Sequence, residues 1–460
     1  MKAIVRACWL TAAALASLPV IAAETIEYPG LGPVTIESPA GKPRYFVLFL
    51  SGDGGWNKGV VDMARHLADE GALVAGVDIR KIAQRPAGTR AECINTAASL
   101  ESLSHHVEQS RGLPEYLPPV LVGYSSGATL AYATLAQAPP GTFKGALSLG
   151  FCPDLEWSLP LCRGEGLGHA PAKKGFVYQP ATHLQDPWIA LQGEQDQVCA
   201  APQTREFVGQ VPGAKLVSLP AVGHGYAVER NWLPQFKQAF HEIADPPPAT
   251  ATPSTEVGDL PLVEAPASRA SQDTFAIMLS GDGGWAGLDK AVAAEINARG
   301  LSVVGWDSLR YFWNARTPEE CAHDLARVIE HYAHAWKKSR VLLVGYSQGA
   351  DVLPFMVNRL PDATRARIAG SALIAVSPEA FFKFSVSHWI TTPTGGLPVV
   401  PEVDRGRMGR FVCIFGAEDK ESACRKFGSN QMQRVELPGG HHFDGDYAGV
   451  AAAVLTGLPK

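Results

Sequence analysis

A chain of 460 residues with 46% hydrophobic and 18% charged side chains has the composition of a folded globular protein, and its length exceeds what one ordinary core accommodates. Its formal net charge of −5 and isoelectric point near 6.2 come without a polybasic run, which excludes an electrostatic nucleic-acid surface and offers no net-charge attraction to an anionic membrane. No Cys-x-x-Cys, His-x-x-x-His or other compact ligand spacing occurs, so neither a metal nor a cofactor is expected.

In chain order, Lys2 and Arg6 precede the apolar run Ala7 to Ala16, and Val20-Ile21-Ala22-Ala23 supplies small residues before Glu24. This is the pattern of a cleaved secretory signal peptide over residues 1–23. The run falls short of the ~20 apolar residues a bilayer span needs, no later segment reaches that length, and Cys8 stands at its start rather than at a lipoprotein cleavage point.

Beyond it the chain repeats itself. Leu-Ser-Gly-Asp-Gly-Gly-Trp occurs at Leu50 to Trp56 and again at Leu279 to Trp285, each followed by Gly-Tyr-Ser-x-Gly-Ala, and Thr35 to Ala40 matches Leu262 to Ala267 upstream. Two domains of about 200 residues follow, 24–245 and 258–460, each large enough for its own core. Residues 246–257 form a Pro-rich linker without apolar periodicity, a semi-rigid spacer of extended character.

Within each half, short apolar runs alternate with amphipathic helical stretches. Phe275 to Leu279 and Val303 to Trp306 bracket the helical pattern Asp289 to Arg299, and Val341 to Val344 leads into Gly345. This predicts an α/β fold: two tandem α/β-hydrolase-like domains, each a mostly parallel sheet flanked by helices, with chemistry at the carboxyl ends of the strands.

Gly345-Tyr346-Ser347-Gln348-Gly349 lies between a buried strand and an apolar helix, as does Gly123-Tyr124-Ser125-Ser126-Gly127. A serine on so sharp a turn is pushed out over the sheet edge, and the helix start offers N–H groups to an oxyanion. Serine needs a histidine base oriented by a carboxylate, and the order Ser, acid, His holds twice. The second half supplies Ser347, Asp419 after its strand Phe411 to Phe415, and His441 after Leu437-Pro438-Gly439-Gly440. The first supplies Ser125, Asp196 and His224. Asp419 and Asp196 are preferred to Glu418 and Glu194 because they hold the same place after the turn glycine; His442 remains the alternative base, otherwise a pocket residue.

The glycine loops are expected to supply the second oxyanion donor, from Gly281, Asp282 and Gly283 beside Gln348 and from Gly52, Asp53 and Gly54 beside Ser126. Asp53 and Asp282 precede the serines and read as loop-shaping or substrate-binding groups; Trp56 and Trp285 read as core packing. His66, His105, His169, His323 and His331 have no catalytic partner in the pattern. Between the nucleophile and acid strands, Ser377 to Gly409 carries Phe381, Phe382, Phe384 and Trp389, an aromatic cover for the substrate or a loop packed on the core; Tyr311-Phe312-Trp313 extends the same surface.

Export makes the cysteines disulfide candidates. Positional matching between halves predicts Cys93–Cys199 and Cys321–Cys424, with Cys152–Cys162 as a local bridge inside the first-half insertion Phe151 to His183 and Cys413 left as a buried thiol; free cysteines throughout are the alternative.

The motifs Leu-Ser-Gly-Asp-Gly-Gly-Trp, Val344 to Pro354 (Val-Gly-Tyr-Ser-Gln-Gly-Ala-Asp-Val-Leu-Pro) and Leu437 to Tyr447 (Leu-Pro-Gly-Gly-His-His-Phe-Asp-Gly-Asp-Tyr) resemble those of the AcvB/VirJ bacterial virulence proteins of the α/β-hydrolase superfamily. The resemblance covers nearly the whole mature chain, with the two-domain layout resembling AcvB. It implies a periplasmic hydrolase of lysyl- or alanyl-phosphatidylglycerol acting at the membrane surface, and a link to virulence. The rivals are an esterase or peptidase acting on soluble substrates, and a non-enzymatic adaptor for a secretion machinery built on a hydrolase scaffold. The longer motif match favours the second half for the lipid reaction.

Overall fold

The computed structural model describes residues 23–83, 92–164, 166–245, 257–267, 273–385, 395–428 and 432–457. The expected signal peptide apart from Ala23, the linker apart from Val257, and Trp389 lie outside the described residues.

The first half is built on an eight-stranded sheet: β1 (Glu24–Tyr28), β2 (Gly32–Glu37), β3 (Tyr45–Leu50), β4 (Ala72–Val77), β5 (Val120–Tyr124), β6 (Gly145–Leu149), β7 (Trp188–Gly193) and β8 (Lys215–Leu219), in the order β1-β2-β4-β3-β5-β6-β7-β8. The second repeats it in seven strands: β9 (Leu262–Ala265), β10 (Thr274–Leu279), β11 (Val303–Trp306), β12 (Arg340–Tyr346), β13 (Ile368–Ile374), β14 (Phe411–Gly416) and β15 (Met432–Leu437), in the order β9-β11-β10-β12-β13-β14-β15. From β4 to β8 and from β11 to β15 every pairing is parallel, while the matched segments β2 and β9 both run antiparallel at the leading edge. The central strands β3 and β4 are buried along their full length because helices cover both faces, which is why they read as unbroken apolar runs. Trp56 and Trp285 lie flat on the sheet where Gly76 and Gly305 leave room: a Cβ there would stand 2.1 and 2.4 Å from the indole rings.

The halves touch. Tyr116 of the first packs in one apolar cluster with Leu309, Trp313 and Phe384 of the second. Trp313 Nε1 donates to Leu113 O at 2.8 Å, Asn314 Nδ2 to Pro114 O at 3.0 Å, and Gln109 Nε2 to Phe384 O at 3.1 Å. Of the two readings of the aromatic segments, a cover or packing on the core, these residues take the second. Tyr311, Phe312, Trp313 and Phe384 are all buried, Tyr311 with its hydroxyl donated to Asp324 at 2.8 Å, and they serve packing between and within the halves.

The disulfides also differ from expectation. Cys93 bonds Cys162, Cys152 bonds Cys199, and Cys413 bonds Cys424, with Cα separations of 4.9, 5.1 and 5.7 Å; Cys321 is a buried free thiol. Matching Cys93 to Cys321 fails because Cys93 precedes its helix, Thr96–Ser110, whereas Cys321 lies inside Pro318–Ala335 and faces the core. The insertion is therefore not closed on itself. Cys152 follows β6 and reaches the loop after its sheet neighbour β7, while Ile94 pairs with Leu161 and brings Cys93 to Cys162. Cys413 in β14 bridges to the turn that follows the same strand. Among the described residues no helix is long and apolar enough to cross a membrane.

Candidate active site

Both serines occupy the strained turn the motif requires. Ser347, between β12 and the helix Gln348–Arg359, has φ 50° and ψ −120°, and Ser125, between β5 and the helix Ser126–Gln137, has φ 56° and ψ −125°. Positive φ in a residue with a Cβ costs of order 1–3 kcal/mol and persists only where the surroundings hold it. Here the backbone N–H donates to the end of the next strand, Ser347 to Ile374 O and Ser125 to Leu149 O, each at 2.9 Å. The flanking glycines allow the bend: a Cβ on Gly345 would stand 2.5 Å from Gly349 O, and one on Gly123 2.0 Å from Gly127 O.

In the second half His441 Nε2 lies 3.1 Å from Ser347 Oγ, and His441 Nδ1 lies 3.5 Å from Asp419 Oδ2. His442 turns away, its Nδ1 2.9 Å from the Tyr346 hydroxyl, and burial together with the neighbouring His441 lowers its pKa. In the first half Ser125 Oγ lies 3.0 Å from His224 Nε2, and His224 Nδ1 2.9 Å from Asp196 Oδ2. Asp196 also accepts from Val198 N at 2.9 Å, Cys199 N at 2.8 Å and Gln192 Nε2 at 3.2 Å. Asp196, Cys199 and His224 are close enough for a shared metal, but the Cys199 sulfur is spent in its disulfide. Each half thus brings hydroxyl, imidazole and carboxylate together in the order a nucleophile, base and orienting group require.

Gly52 and Gly281 press against the serines, since a Cβ on them would stand 3.1 Å from Ser125 Cβ and 3.4 Å from Ser347 Cβ. Each loop closes as a turn, with Gly55 N donating to Gly52 O at 2.9 Å and Gly284 N to Gly281 O at 3.1 Å, so that Asp53-Gly54 and Asp282-Gly283 crown it. Ser126 and Gln348 open their helices, where the first N–H groups have no partner along the helix. Asp53 shapes its loop by accepting from Ser126 Oγ at 2.5 Å. Of the expected substrate contacts, Phe381 meets the site through its carbonyl, which accepts from Gln348 Nε2 at 3.1 Å. Phe382 is a correction: its ring packs on Phe312 and Phe355, drawn into the core by the apolar face of the nucleophile helix.

Three carboxyl groups escaped the sequence reading. Asp351, one turn past Ser347, accepts from Ser377 N at 2.6 Å, and its counterpart Thr129 donates to Cys152 O at 2.5 Å; both tie the nucleophile helix to the loop after the next strand. A polar residue four positions after each serine, inside the apolar stretches Ala128 to Ala133 and Ala350 to Val357, was the available signal. Asp289 is buried below the glycine loop, and burial pushes both it and Asp351 well above the carboxylate range. Glu101, on the first half's helix Thr96–Ser110, is pushed up to about 8 chiefly by burial with Asp282 of the second half adding to it, and no pattern in its own helix announces it.

A family model described as bacterial virulence protein (VirJ) matches residues 44–148 and 273–460. The chain belongs to the VirJ family. The two matched segments carry both serines and, in the second half, the whole Ser347–Asp419–His441 set, so the VirJ pattern spans the geometry just described. A search of the curated proteins finds no match. Among solved structures, XC6422 from Xanthomonas campestris, titled a serine hydrolase without lid, is 20% identical over 51% of this chain and 99% of its own, with a TM-score of 0.34. Est1E from Butyrivibrio proteoclasticus is 14% identical over 48% and 98%, with a TM-score of 0.33. Butyrate-bound esterase 2 from Thermogutta terrifontis is 18% identical over 49% and 96%, with a TM-score of 0.35.

Proposed function

We propose that this VirJ-family protein is an exported, periplasmic serine hydrolase that cleaves the aminoacyl ester of lysyl- or alanyl-phosphatidylglycerol at Ser347. The observation that carries the hydrolase reading is the strained Ser347 with His441 Nε2 at 3.1 Å and Asp419 behind it. Ser347 Oγ attacks the ester carbonyl as His441 takes its proton, and the oxyanion is met by N–H groups of Gln348 and of the loop at Gly281. The tetrahedral intermediate collapses, His441 protonates the glycerol oxygen, and phosphatidylglycerol leaves. Water, deprotonated by His441, then opens the acyl-enzyme and frees the amino acid. Asp419 holds the imidazole and stabilises its charged form. The family's resemblance supports the lipid substrate, and three disulfides support export to an oxidising compartment.

A soluble-ester reading gains from one observation, the burial of Phe384, Tyr311, Phe312 and Trp313 among the aromatic residues expected to cover a lipid. Two assembled triads weigh against a non-enzymatic adaptor. Release of free amino acid from lysyl- and alanyl-phosphatidylglycerol vesicles by the mature protein decides the matter. Release that disappears in Ser347→Ala supports the lipid hydrolase, and a folded wild type that releases nothing while opening short soluble esters rejects it.

A further inference from the structure

The acid of the first site is held in place by a disulfide. Asp196 Oδ1 accepts from Val198 N and Cys199 N, and Gln192 Nε2 donates both to Asp196 Oδ2 at 3.2 Å and to the Cys199 carbonyl at 2.8 Å. The Cys199 sulfur is bonded to Cys152, whose own carbonyl accepts from Thr129 Oγ1 on the nucleophile helix. One covalent bond therefore joins the loop of the acid to the segment against the helix that presents Ser125. It lies near the surface: Cys199 is buried, but Cys152 is half-buried, and its sulfur stands 3.9 Å from the carbonyl of Val198, a residue 67% exposed. The second half has no such link, since Cys413 and Cys424 are fully buried and close on the acid's own strand.

Opening that bond changes what the site is made of. Cys199 Sγ, a ring nitrogen of His224 and a carboxylate oxygen of Asp196 all lie within 4.8 Å of one another. A disulfide sulfur is a poor ligand, whereas a thiolate beside an imidazole and a carboxylate is a donor set that suits zinc(II). Three protein ligands already make a zinc site, and Cys152, with its Cα 5.1 Å from that of Cys199, is placed to be the fourth. Two thiolates on one zinc stand about 3.8 Å apart for Zn–S bonds of about 2.3 Å, a separation that side-chain rotation at such a Cα spacing supplies. The imidazole that zinc would take is the base Ser125 needs, with Nε2 3.0 Å from Ser125 Oγ and Nδ1 2.9 Å from Asp196 Oδ2. Zinc on Nδ1 leaves the ring proton on Nε2, where it can no longer accept from the serine; zinc on Nε2 occupies the serine's place outright.

We propose that reduction of Cys152–Cys199 converts the first triad into a zinc(II) site of Cys199, His224, Asp196 and Cys152, which blocks Ser125 and leaves Ser347 untouched. A dithiol supplies the two electrons and two protons: the protein disulfide becomes two thiols, the dithiol becomes a cyclic disulfide, and zinc displaces the thiol protons as it binds. The proposal needs only the geometry of the first half and is independent of the lipid substrate.

The test follows fluorophosphonate labelling of each serine, read on its own proteolytic peptide. Cys152→Ala frees the Cys199 thiol without a reductant and without touching the other two disulfides. With zinc chloride its Ser125 labelling should fall about tenfold or more and return with EDTA, a recovery that a misfolded chain does not give, while Ser347 labelling stays level. Wild type should respond in the same way only after treatment with a phosphine, which leaves as its oxide with the oxygen of water. The double variant Cys152→Ala, Cys199→Ser should not respond. Cobalt(II) in place of zinc gives a readout that needs no labelling: a thiolate-to-cobalt charge-transfer band in Cys152→Ala and in reduced wild type, absent from the double variant. Zinc that leaves Ser125 labelling of Cys152→Ala unchanged, zinc that lowers it equally in the double variant, or cobalt spectra without the thiolate band overturn the proposal.

Discussion

The Asp196 carboxylate is held by two backbone N–H groups, the Gln192 amide and His224, whereas among the described residues Asp419 has only His441 as a side-chain partner, at 3.5 Å. The first half also carries its own insertion, a three-stranded sheet of Asp154–Leu155, His169–Pro171 and Phe176–Tyr178 pinned by two disulfides. The second borrows its surroundings from the other half through Phe384, His105 and Gln109. Duplication has preserved the strained serine in both copies while the acid's support and the segment after the nucleophile's neighbouring strand have diverged. A rigid triad suits a site whose geometry is complete in isolation; a looser one fits a site that tightens when substrate and interface close around it.

The largest effect expected separates the two nucleophiles. Ser347→Ala should reduce amino-acid release from aminoacyl-phosphatidylglycerol vesicles by about a thousandfold or more, while Ser125→Ala leaves at least half of it. The reverse pattern would make the rigid site the lipid site and break the comparison as drawn.

Next come the acids. Asp196→Asn and Asp419→Asn should each cost their own serine about a hundredfold or more in labelling by a fluorophosphonate probe, by releasing the imidazole. Only Asp196→Asn should also lower the melting temperature, by the equivalent of about 1–3 kcal/mol, because an amide whose oxygen still accepts from Val198 N and Cys199 N turns its NH2 toward the Gln192 Nε2 donor that Oδ2 now accepts from. Equal melting temperatures for the two variants would show that the extra bonds to Asp196 carry no stability.

The interface gives a third contrast. Trp313→Ala removes a buried ring stacked on Phe384 and should destabilise by about 3–5 kcal/mol, read by denaturant unfolding. Labelling of Ser347 should fall with it while labelling of Ser125 persists. Parallel losses at both serines would mean that the halves do not differ in their dependence on the contact.

The repeat made the architecture and the two triads legible, because each turn, strand and polar loop residue is a local pattern that occurs twice. Ser347, Asp419 and His441 needed only order and context. What the sequence hid is what depends on the pairing of the halves. Phe384 and Trp313 read equally as a cover or as core packing because an aromatic residue in a loop looks alike whether it faces lipid or the other half of the chain. Cys93 and Cys321 matched in sequence, yet one sits before a helix and the other within one, a shift of register that a short alignment does not expose. Glu101 lies on a helix whose partner surface is over 180 positions away in the chain, at Asp282, so nothing local marks it.

The last test asks how far Glu101 is withdrawn from solvent beside Asp282. Folding raises its pKa from the ordinary 4.5 to about 8, chiefly through burial. Between those values the unfolded chain has lost the proton and the folded one retains it. The Glu101 contribution is therefore fully present below pH 4.5 and is lost as pH rises through about 8. Measured against Glu101→Gln, which has no such proton, the wild type should lose stability as pH rises through that window, over a narrower range than 4.5 to 8 because the half-buried side chain still meets solvent. Parallel stability curves for the two proteins would mean a solvated Glu101.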